Sequence, residues 1–290
     1  MKALAFGEIL WDVIEDSRKI GGAPLNVLGH IVLLGGKGTV ISALGSDELG
    51  DESIEYLRSK GIDTHLVKRT DAETGKAIVT LKDGIPSYRF TEPSAWDEIT
   101  LTDEDMKEIA STHYDAFIYG SLAARSETSR TTWKNLLETV NADLFFFDVN
   151  LRLNFYSREV IEEGIRHADI LKVNDEELPI IMDMLHIEDI ATLLKRYELR
   201  MLLLTSGKKG SDVITKDQHI HQDTGKVKVV DTVGAGDSLS AAFLYFLSEG
   251  EPLEETLRKA STLADYVVQK TGAIPEYDED IMALLLRHNR

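Results

Sequence analysis

KVVDTVGAGDSLS, residues 228–240, places a β-like run directly before a small-residue turn and the start of a helix. The turn is Gly234-Ala235-Gly236, and Asp237 follows it in the first helical turn. Small residues let a ligand approach the backbone closely. Amide N–H groups at a helix N-terminus can cradle an anion such as a transferring phosphoryl group, although an acidic residue there can also serve only the helix dipole. The segment therefore predicts an anion site with a carboxylate beside it.

Around this segment, short apolar runs rich in β-formers alternate with helical patterns. The alternation predicts an α/β fold with a doubly wound, mostly parallel sheet. The predicted strands are Lys2–Gly7, Thr39–Leu44, Ala116–Tyr119, Leu144–Asp148, Ile170–Val173 and Met201–Thr205. The predicted helices are Ala23–Leu34, Asp47–Ser59, Thr102–Ser111, Ser126–Thr139, Ser157–His167, Gly236–Leu247, Leu253–Lys270 and Asp278–Leu286.

One segment interrupts this alternation with short strands that have no helix between them. They are Thr64–Lys68, Ala77–Leu81 and Ser87–Phe90, joined by turn residues such as Lys82-Asp83-Gly84. We expect one domain over 1–290 with a small antiparallel β lid, discontinuous at about 8–20 and 63–96. The lid would cover the strand ends where open α/β sheets bind ligands. A β-meander at the sheet edge is the alternative.

Composition narrows the classes of function. The chain of 290 residues has a formal net charge of -18, which disfavours wide contact with nucleic acid. No apolar stretch is long enough for a membrane span, and the early acidic residues argue against a signal peptide. Cysteine is absent, which rules out disulfides and a thiol nucleophile. We expect a cytoplasmic protein whose catalytic base is not a thiol.

Polar residues near the N-terminus form a second constellation, in GEILWD and GGAPLNV. Asp12 and Asn26 offer the hydrogen-bonding groups that sugar hydroxyls require, and Gly21-Gly22 permits close approach. Taken alone, these residues fit a loop charge and a turn before a helix equally well. They indicate a polar ligand site only in combination with other segments.

Two strand ends carry further polar residues. In FFFDVNLR, residues 145–152, the side chains of Asp148, Asn150 and Arg152 would share one face if the chain stays extended, and a salt bridge between Asp148 and Arg152 is the simpler alternative. In LKVNDEEL, residues 171–178, Asn174 and Glu177 stand three apart, which also suits a helix cap with a capping-box glutamate.

The run DTVGAGD resembles, nearly letter for letter, the C-terminal signature of the ribokinase-like (PfkB) carbohydrate kinases. LGSDELGDESIEYLRSKGID, residues 44–63, resembles the first signature region of that family, so the similarity spans nearly the whole chain. The resemblance implies a kinase in which Asp237 removes the proton of the acceptor hydroxyl, while the amides of Gly234, Ala235 and Gly236 stabilise the transferred group. It implies sugar contacts by Asp12, Gly21, Gly22, Asn26, Asn150 and Arg152.

The same resemblance implies a site for ATP and Mg²⁺. LLLTSGKKGSDVI, residues 202–214, is similar to the T-x-G-x-x-G loop of the family, although a plain strand-turn-strand is the alternative. Glu177 would contact Mg²⁺ through water, and Asp231, near Gly272-Ala273, resembles the site of a monovalent cation such as K⁺ in some relatives. The implied nucleotide contacts are Asn174, Thr205, Gly207, Gly210 and Gly236.

The acceptor is predicted from GGAPLNV, which resembles fructokinases more than ribokinases or ketodeoxygluconate kinases. Fructose is therefore the predicted substrate, with 2-keto-3-deoxygluconate, ribose or a nucleoside as alternatives within the family. A catalytically silent sugar sensor is the alternative of another class, and the intact GAGD argues against it. Exposed edges of the lid sheet make a homodimer through the lid plausible.

Overall fold

The computed structural model describes residues 1–14, 17–82 and 85–286. The strands are β1 (Lys2–Phe6), β2 (Leu10–Ile14), β3 (Ser17–Gly21), β4 (Lys37–Gly45), β5 (Val67–Thr70), β6 (Gly75–Lys82), β7 (Ile85–Phe90), β8 (His113–Gly120), β9 (Asn141–Asp148), β10 (Ile170–Asn174), β11 (Met201–Thr205), β12 (Ser211–Thr215) and β13 (His219–Gln222). The helices are α1 (Ala23–Leu33), α2 (Glu48–Ser59), α3 (Asp103–Ser111), α4 (Glu127–Thr139), α5 (Arg158–Arg166), α6 (Glu177–Leu185), α7 (Ile190–Arg196), α8 (Ala235–Ser248), α9 (Leu253–Val267) and α10 (Glu279–Leu286). Strands and helices alternate from β8 to β11, apart from the successive helices α6 and α7, and the described chain ends on three successive helices.

Within the described residues, nine strands form the main sheet in the order β13-β12-β11-β10-β9-β8-β1-β4-β5. The pairings from β11 to β5 are parallel, and β12 and β13 extend the sheet by antiparallel pairing. Alternate residues of β1 enter different cores: Leu4 and Phe6 pack into one cluster, and Ala3 and Ala5 into the other. Buried cores on both faces confirm the predicted doubly wound α/β architecture.

A second sheet contains four strands among the described residues, in the order β3-β2-β6-β7. β2 with β3 and β6 with β7 are antiparallel pairs, whereas β2 and β6 run parallel. The strand predicted at Thr64–Lys68 does not join it: β5 pairs in parallel with β4 at the edge of the main sheet. Of the predicted turn Lys82-Asp83-Gly84, Asp83 and Gly84 lie outside the described residues.

The helices of the C-terminal part begin and end close to their predicted positions. α8 starts at Ala235, one residue before its predicted start, and α9 ends at Val267 rather than Lys270. The β-like run predicted just before the GAGD turn is not part of a strand, and Val229 and Val230 are about half exposed there. No helix in the described parts of the chain combines the length and the apolarity needed to cross a bilayer.

Candidate active site

The candidate site lies where several parallel strands of the main sheet end. Glu8 follows β1, Asp148 ends β9, Asn174 ends β10 and Thr205 ends β11. Because these strands run in the same direction, their carboxyl ends share one edge of the sheet. The start of α8 faces this edge, since a Cβ atom at Gly236 would lie 3.6 Å from Nζ of Lys172 on β10.

The glycine turn before α8 has a backbone conformation that a side chain would disrupt. Gly234 is the N-cap of α8 with φ 79°, and a Cβ atom there would collide with the carbonyl group of Ala273. The amides of Gly234 and Gly236 have no hydrogen-bond acceptor among the described residues, whereas the Ala235 N–H donates to Thr232 O at 3.3 Å. Two of the three amides predicted to hold an anion are therefore available to one.

Asp237 lies in the first turn of α8, partly buried, and contacts α1. The Asn26 Nδ2 group donates to Asp237 Oδ2 at 2.8 Å. Burial and the neighbouring Asp148 raise the pKa of Asp237 to about 6, against the opposing influence of Lys172, Asn26 and Arg152. A carboxyl group with this pKa is ionised at neutral pH and can accept a proton.

The Gly21-Gly22 turn connects β3 to α1 beside the predicted sugar contacts. Gly22 has φ 130°, and a Cβ atom there would collide with the carbonyl group of Glu8. At Gly21 a Cβ atom would lie 3.1 Å from Asp12 Oδ2, so the turn and the carboxylate are close neighbours. Burial raises the pKa of Asp12, and Arg152 and Lys19 oppose that effect. The structure therefore brings Asp12, Gly21, Gly22 and Asn26 to the same corner of the molecule.

The predicted sugar contact of Asn26 has a different neighbour in this structure. Its Nδ2 group is occupied by Asp237, and its buried Oδ1 atom has no partner among the described residues. Asn26 is therefore placed to orient the carboxylate, and its oxygen and its second N–H donor remain for another ligand.

Glu8 is a buried carboxyl group that the sequence prediction missed. It is 2% exposed, its Oε1 atom accepts the Ala23 N–H at 3.1 Å, and its Oε2 atom has no partner in the described chain. Burial raises the pKa of Glu8 to about 7, and nearby Asp237 adds to the rise. The available signal was an acidic residue directly after the apolar run of β1.

The FFFDVNLR segment does not stay extended. β9 ends at Asp148 and Asn150 has φ 45°, so the alternation assumed for Asp148, Asn150 and Arg152 is wrong. Arg152 is exposed, with its Nη1 group donating to Leu151 O at 3.0 Å. The alternative salt bridge from Asp148 to Arg152 is also absent from the described ion pairs, because Asp148 pairs with Lys172.

Asn174 and Glu177 hold each other in place at the start of α6. Asn174 Oδ1 accepts the Glu177 N–H at 2.8 Å, and Glu177 Oε2 accepts the Asn174 N–H at 2.9 Å. Glu177 Oε1 accepts the Leu151 N–H at 2.9 Å. This is the capping arrangement given above as the alternative. Each carboxylate oxygen of Glu177 therefore accepts one backbone N–H group, which fixes the orientation of the carboxylate.

The predicted nucleotide loop forms a hairpin between β11 and β12. Thr205 pairs in register with Asn174 across neighbouring strands, and the Asp175 N–H donates to Thr205 O at 3.0 Å. Gly207 and Gly210 have φ 52° and 100°. The strand-turn-strand alternative is thus the local structure, and it adjoins the Asn174 cap.

Asp231, predicted beside a monovalent cation, has its carboxylate already occupied. It accepts N–H groups from Val233 at 3.0 Å and Gly272 at 3.2 Å, and Lys19 Nζ lies 3.6 Å from Oδ2. Burial raises the pKa of Asp231, but these amides and Lys19 lower it more, so it lies below its ordinary value.

Lys172 is the second functional candidate that the sequence prediction missed. It is 7% exposed in the middle of β10, and its Nζ atom lies 3.0 Å from Asp148 Oδ1. A lysine between apolar residues of a central strand was the signal, since a buried lysine requires a negative partner. The partner, 24 positions away on β9, is identified only by the strand register.

Comparisons with known proteins show what the chain resembles in sequence and in fold. The profile described as pfkB family carbohydrate kinase matches residues 2–280. The Arabidopsis thaliana protein named probable fructokinase-5 is 33% identical over 303 residues, covering 94% of this chain and 93% of that protein. A sugar kinase of Pyrococcus horikoshii in complex with ATP is 28% identical, with a TM-score of 0.81 over 94% of each chain. A fructokinase of Xylella fastidiosa with bound ATP shares the fold, with a TM-score of 0.87 over 98% of each chain at 24% identity.

Proposed function

The chain belongs to the pfkB family of carbohydrate kinases, and we propose that it transfers the γ-phosphoryl group of ATP to a hydroxyl group of fructose. The observation that carries this proposal is the contact between Asn26 and Asp237, at 2.8 Å, beside the glycine turn of α8. It joins the predicted acceptor side to the predicted phosphate side of the site. The names of relatives such as the Arabidopsis protein favour fructose.

In the proposed reaction, Asp237 accepts the proton of the sugar hydroxyl group as its oxygen attacks the γ-phosphorus of ATP, and ADP leaves. The amides of Gly234 and Gly236 face the negative charge of the transferred group, where the α8 dipole adds to their effect. Asp12, Asn150 and Arg152 are proposed to hold the sugar, and Asn174, Thr205, Gly207 and Gly210 to border the nucleotide. Positioning and charge stabilisation are what phosphoryl transfer chiefly requires.

Mg²⁺ is proposed to enter with ATP and to neutralise charge on its phosphates. Both Glu177 oxygens accept backbone N–H groups, and its contact with the ion is proposed to run through water. For K⁺ the fit is poor, because Lys19 already supplies a cation to Asp231. We therefore assign K⁺ no step in the reaction.

Strands β2, β3, β6 and β7 are proposed as the lid that the sequence predicted at about 8–20 and 63–96 in a single domain over 1–290, with β5 excluded because it belongs to the main sheet. Its strand β2 carries Asp12, and closure over the sugar would exclude water and limit ATP hydrolysis. The outer strands β3 and β7 offer edges through which two copies could pair into a homodimer. The cytoplasm remains the predicted location.

The proposal is tested by measuring ADP formation with ATP, Mg²⁺ and a panel of acceptors: fructose, ribose, 2-keto-3-deoxygluconate, adenosine and fructose 6-phosphate. We expect the highest kcat/KM with fructose. A higher kcat/KM with another acceptor would overturn the assignment of fructose, while phosphoryl transfer from ATP to a hydroxyl group would stand. Binding of a sugar without ADP formation would favour the sensor.

A further inference from the structure

A buried ion pair joins the end of β9 to the middle of β10. Lys172 and Asp148 stand opposite each other in the parallel register of the two strands, and Lys172 Nζ lies 3.0 Å from Asp148 Oδ1. Asp148 is 1% exposed and Lys172 is 7% exposed. Removing two charges from water is costly, so a gain in stability is a weak explanation for the presence of such a pair.

The pair has hydrogen-bonding capacity that the described residues do not use. An ammonium group has three N–H donors, and Asp148 Oδ1 is its one acceptor within the described chain. Asp148 Oδ2 is buried and also has no partner there. Buried polar atoms are normally satisfied, and exceptions concentrate where a ligand, a water molecule or a reaction supplies the partner.

The position of the pair connects it to the glycine turn. A Cβ atom added at Gly236 would lie 3.6 Å from Lys172 Nζ, so the ammonium group lies directly against the backbone of that turn. Burial lowers the pKa of Lys172, but Asp148, Glu177 and Asp237 raise it more, and the net shift is upward. Lys172 is therefore a permanent positive charge beneath the residues that precede Asp237.

The charged and polar groups around Asp237 come from several elements. One cation among them, Lys172, is buried, whereas the other, Arg152, is exposed to solvent and to screening. Asp148 and Lys172 act on Asp237 in opposite directions. The groups are Glu8 after β1, Asn26 on α1, Asp148 at the end of β9, Arg152 in the following loop, Lys172 on β10, and Glu177 on α6, which acts on Lys172.

We propose that Lys172, held by Asp148, is a positioning residue. Its ammonium group lies on the far side of the glycine turn and favours the ionised form of the Asp237 side chain. This rests on the proposed function, in which Asp237 is the base. Asp148 holds the ammonium group in place, and its negative charge partly offsets the effect of that group on Asp237. The two residues act as one unit, and removing either leaves an uncompensated buried charge beside the base.

The test compares three variants, Lys172→Met, Asp148→Asn and the double variant. The midpoint of the acidic limb of kcat/KM against pH should rise by about one pH unit or more in Lys172→Met, fall in Asp148→Asn and return towards that of the parent protein when both are changed. Lys68→Met is the control. It removes a lysine on β5, several strands away from β10, whose Nζ atom lies 2.6 Å from Asp105, and it should leave the midpoint unchanged.

Carboxyl ¹³C NMR of Asp237, assigned with Asp237→Asn, gives the same midpoints without turnover. This measurement separates the proposed kinase function from the proposed role of Lys172. Absence of kinase activity would refute the function, and the NMR midpoints would still decide the role of Lys172. Identical midpoints in the parent protein and Lys172→Met would overturn that role. If Lys172→Met does not fold, the double variant decides: a midpoint above that of Asp148→Asn supports the role of Lys172 and an equal midpoint refutes it.

Discussion

At the scale of single residues, Asp237 is under opposing influences that bring its pKa within about one unit of neutral pH. Burial and Asp148 raise its pKa to about 6, and Lys172, Asn26 and Arg152 limit the rise. A base must be ionised to accept a proton, so activity should increase as pH rises through about 6 and level off above it. The pH profile thus reports the environment of one carboxyl group.

Asn26→Ala tests whether Asn26 orients the base or contacts the sugar. Losing the 2.8 Å hydrogen bond should lower kcat by about tenfold and move the acidic limb to higher pH, with less effect on KM for fructose. Asp12→Asn is the comparison, because a proposed sugar contact should chiefly raise KM. A rise in KM for Asn26→Ala at unchanged kcat would restore the sugar contact predicted from the sequence.

Glu8→Gln tests the cost of a second buried carboxyl group. The pKa of Glu8 is raised from 4.5 to about 7, so the folded state binds more protons than the unfolded state between these values. Stability therefore falls as pH rises through this window. Gln resembles the protonated carboxyl group, so the variant should gain up to about 3 kcal/mol at pH 8, and the gain should shrink towards pH 4.5.

Urea unfolding at both pH values measures this difference. Glu127→Gln changes an exposed glutamate in the first turn of α4 and should alter stability much less. Equal stability of Glu8→Gln and the parent protein at pH 8 would show that the Glu8 carboxylate is ionised without penalty.

At the scale of elements, α8 has a glycine in the left-handed region at each end. Gly234, at its start, has φ 79° and Gly250, after its end, has φ 80°. A Cβ atom at Gly250 would meet nothing within 4 Å, whereas one at Gly234 would collide with Ala273. Replacing either glycine therefore has the same backbone strain, and only the replacement of Gly234 adds a steric collision.

Gly250→Ala should therefore destabilise the protein by about 1 kcal/mol and leave activity intact. Gly234→Ala should cost more stability and reduce activity strongly, because the turn must move away from Ala273. Urea unfolding and kcat measured side by side check this prediction. Matching stability and activity in the two variants would mean that the turn tolerates a side chain.

Local sequence patterns predicted the elements better than they predicted the contacts between them. Apolar runs and capping residues located strands such as Met201–Thr205 to the residue, because those signals lie within a few positions of each other. The prediction that the strand at Thr64–Lys68 belongs to the lid was wrong, because the pairing of β5 with β4 depends on the tertiary path of the chain. The pairing of Lys172 with Asp148 is also set by register between strands, which composition does not reveal.

At the scale of the whole molecule, the site joins distant parts of the chain. The hydrogen bond from Asn26 to Asp237 spans 211 positions, and Lys19 reaches Asp231 from the four-stranded sheet. The motifs predicted that such segments meet, because the family resemblance covers them together. Which atoms meet was not predictable: Asn26 faces the base, and the polar groups of Glu177 face backbone amides.

The central claim is that Asp237 is the base of a sugar kinase, and fructose-dependent ADP formation by Asp237→Asn tests it most directly. We expect a loss of about 100-fold or more in kcat, since general bases typically contribute that much, with thermal unfolding and ATP binding preserved. Turnover by Asp237→Asn close to that of the parent protein would contradict the claim.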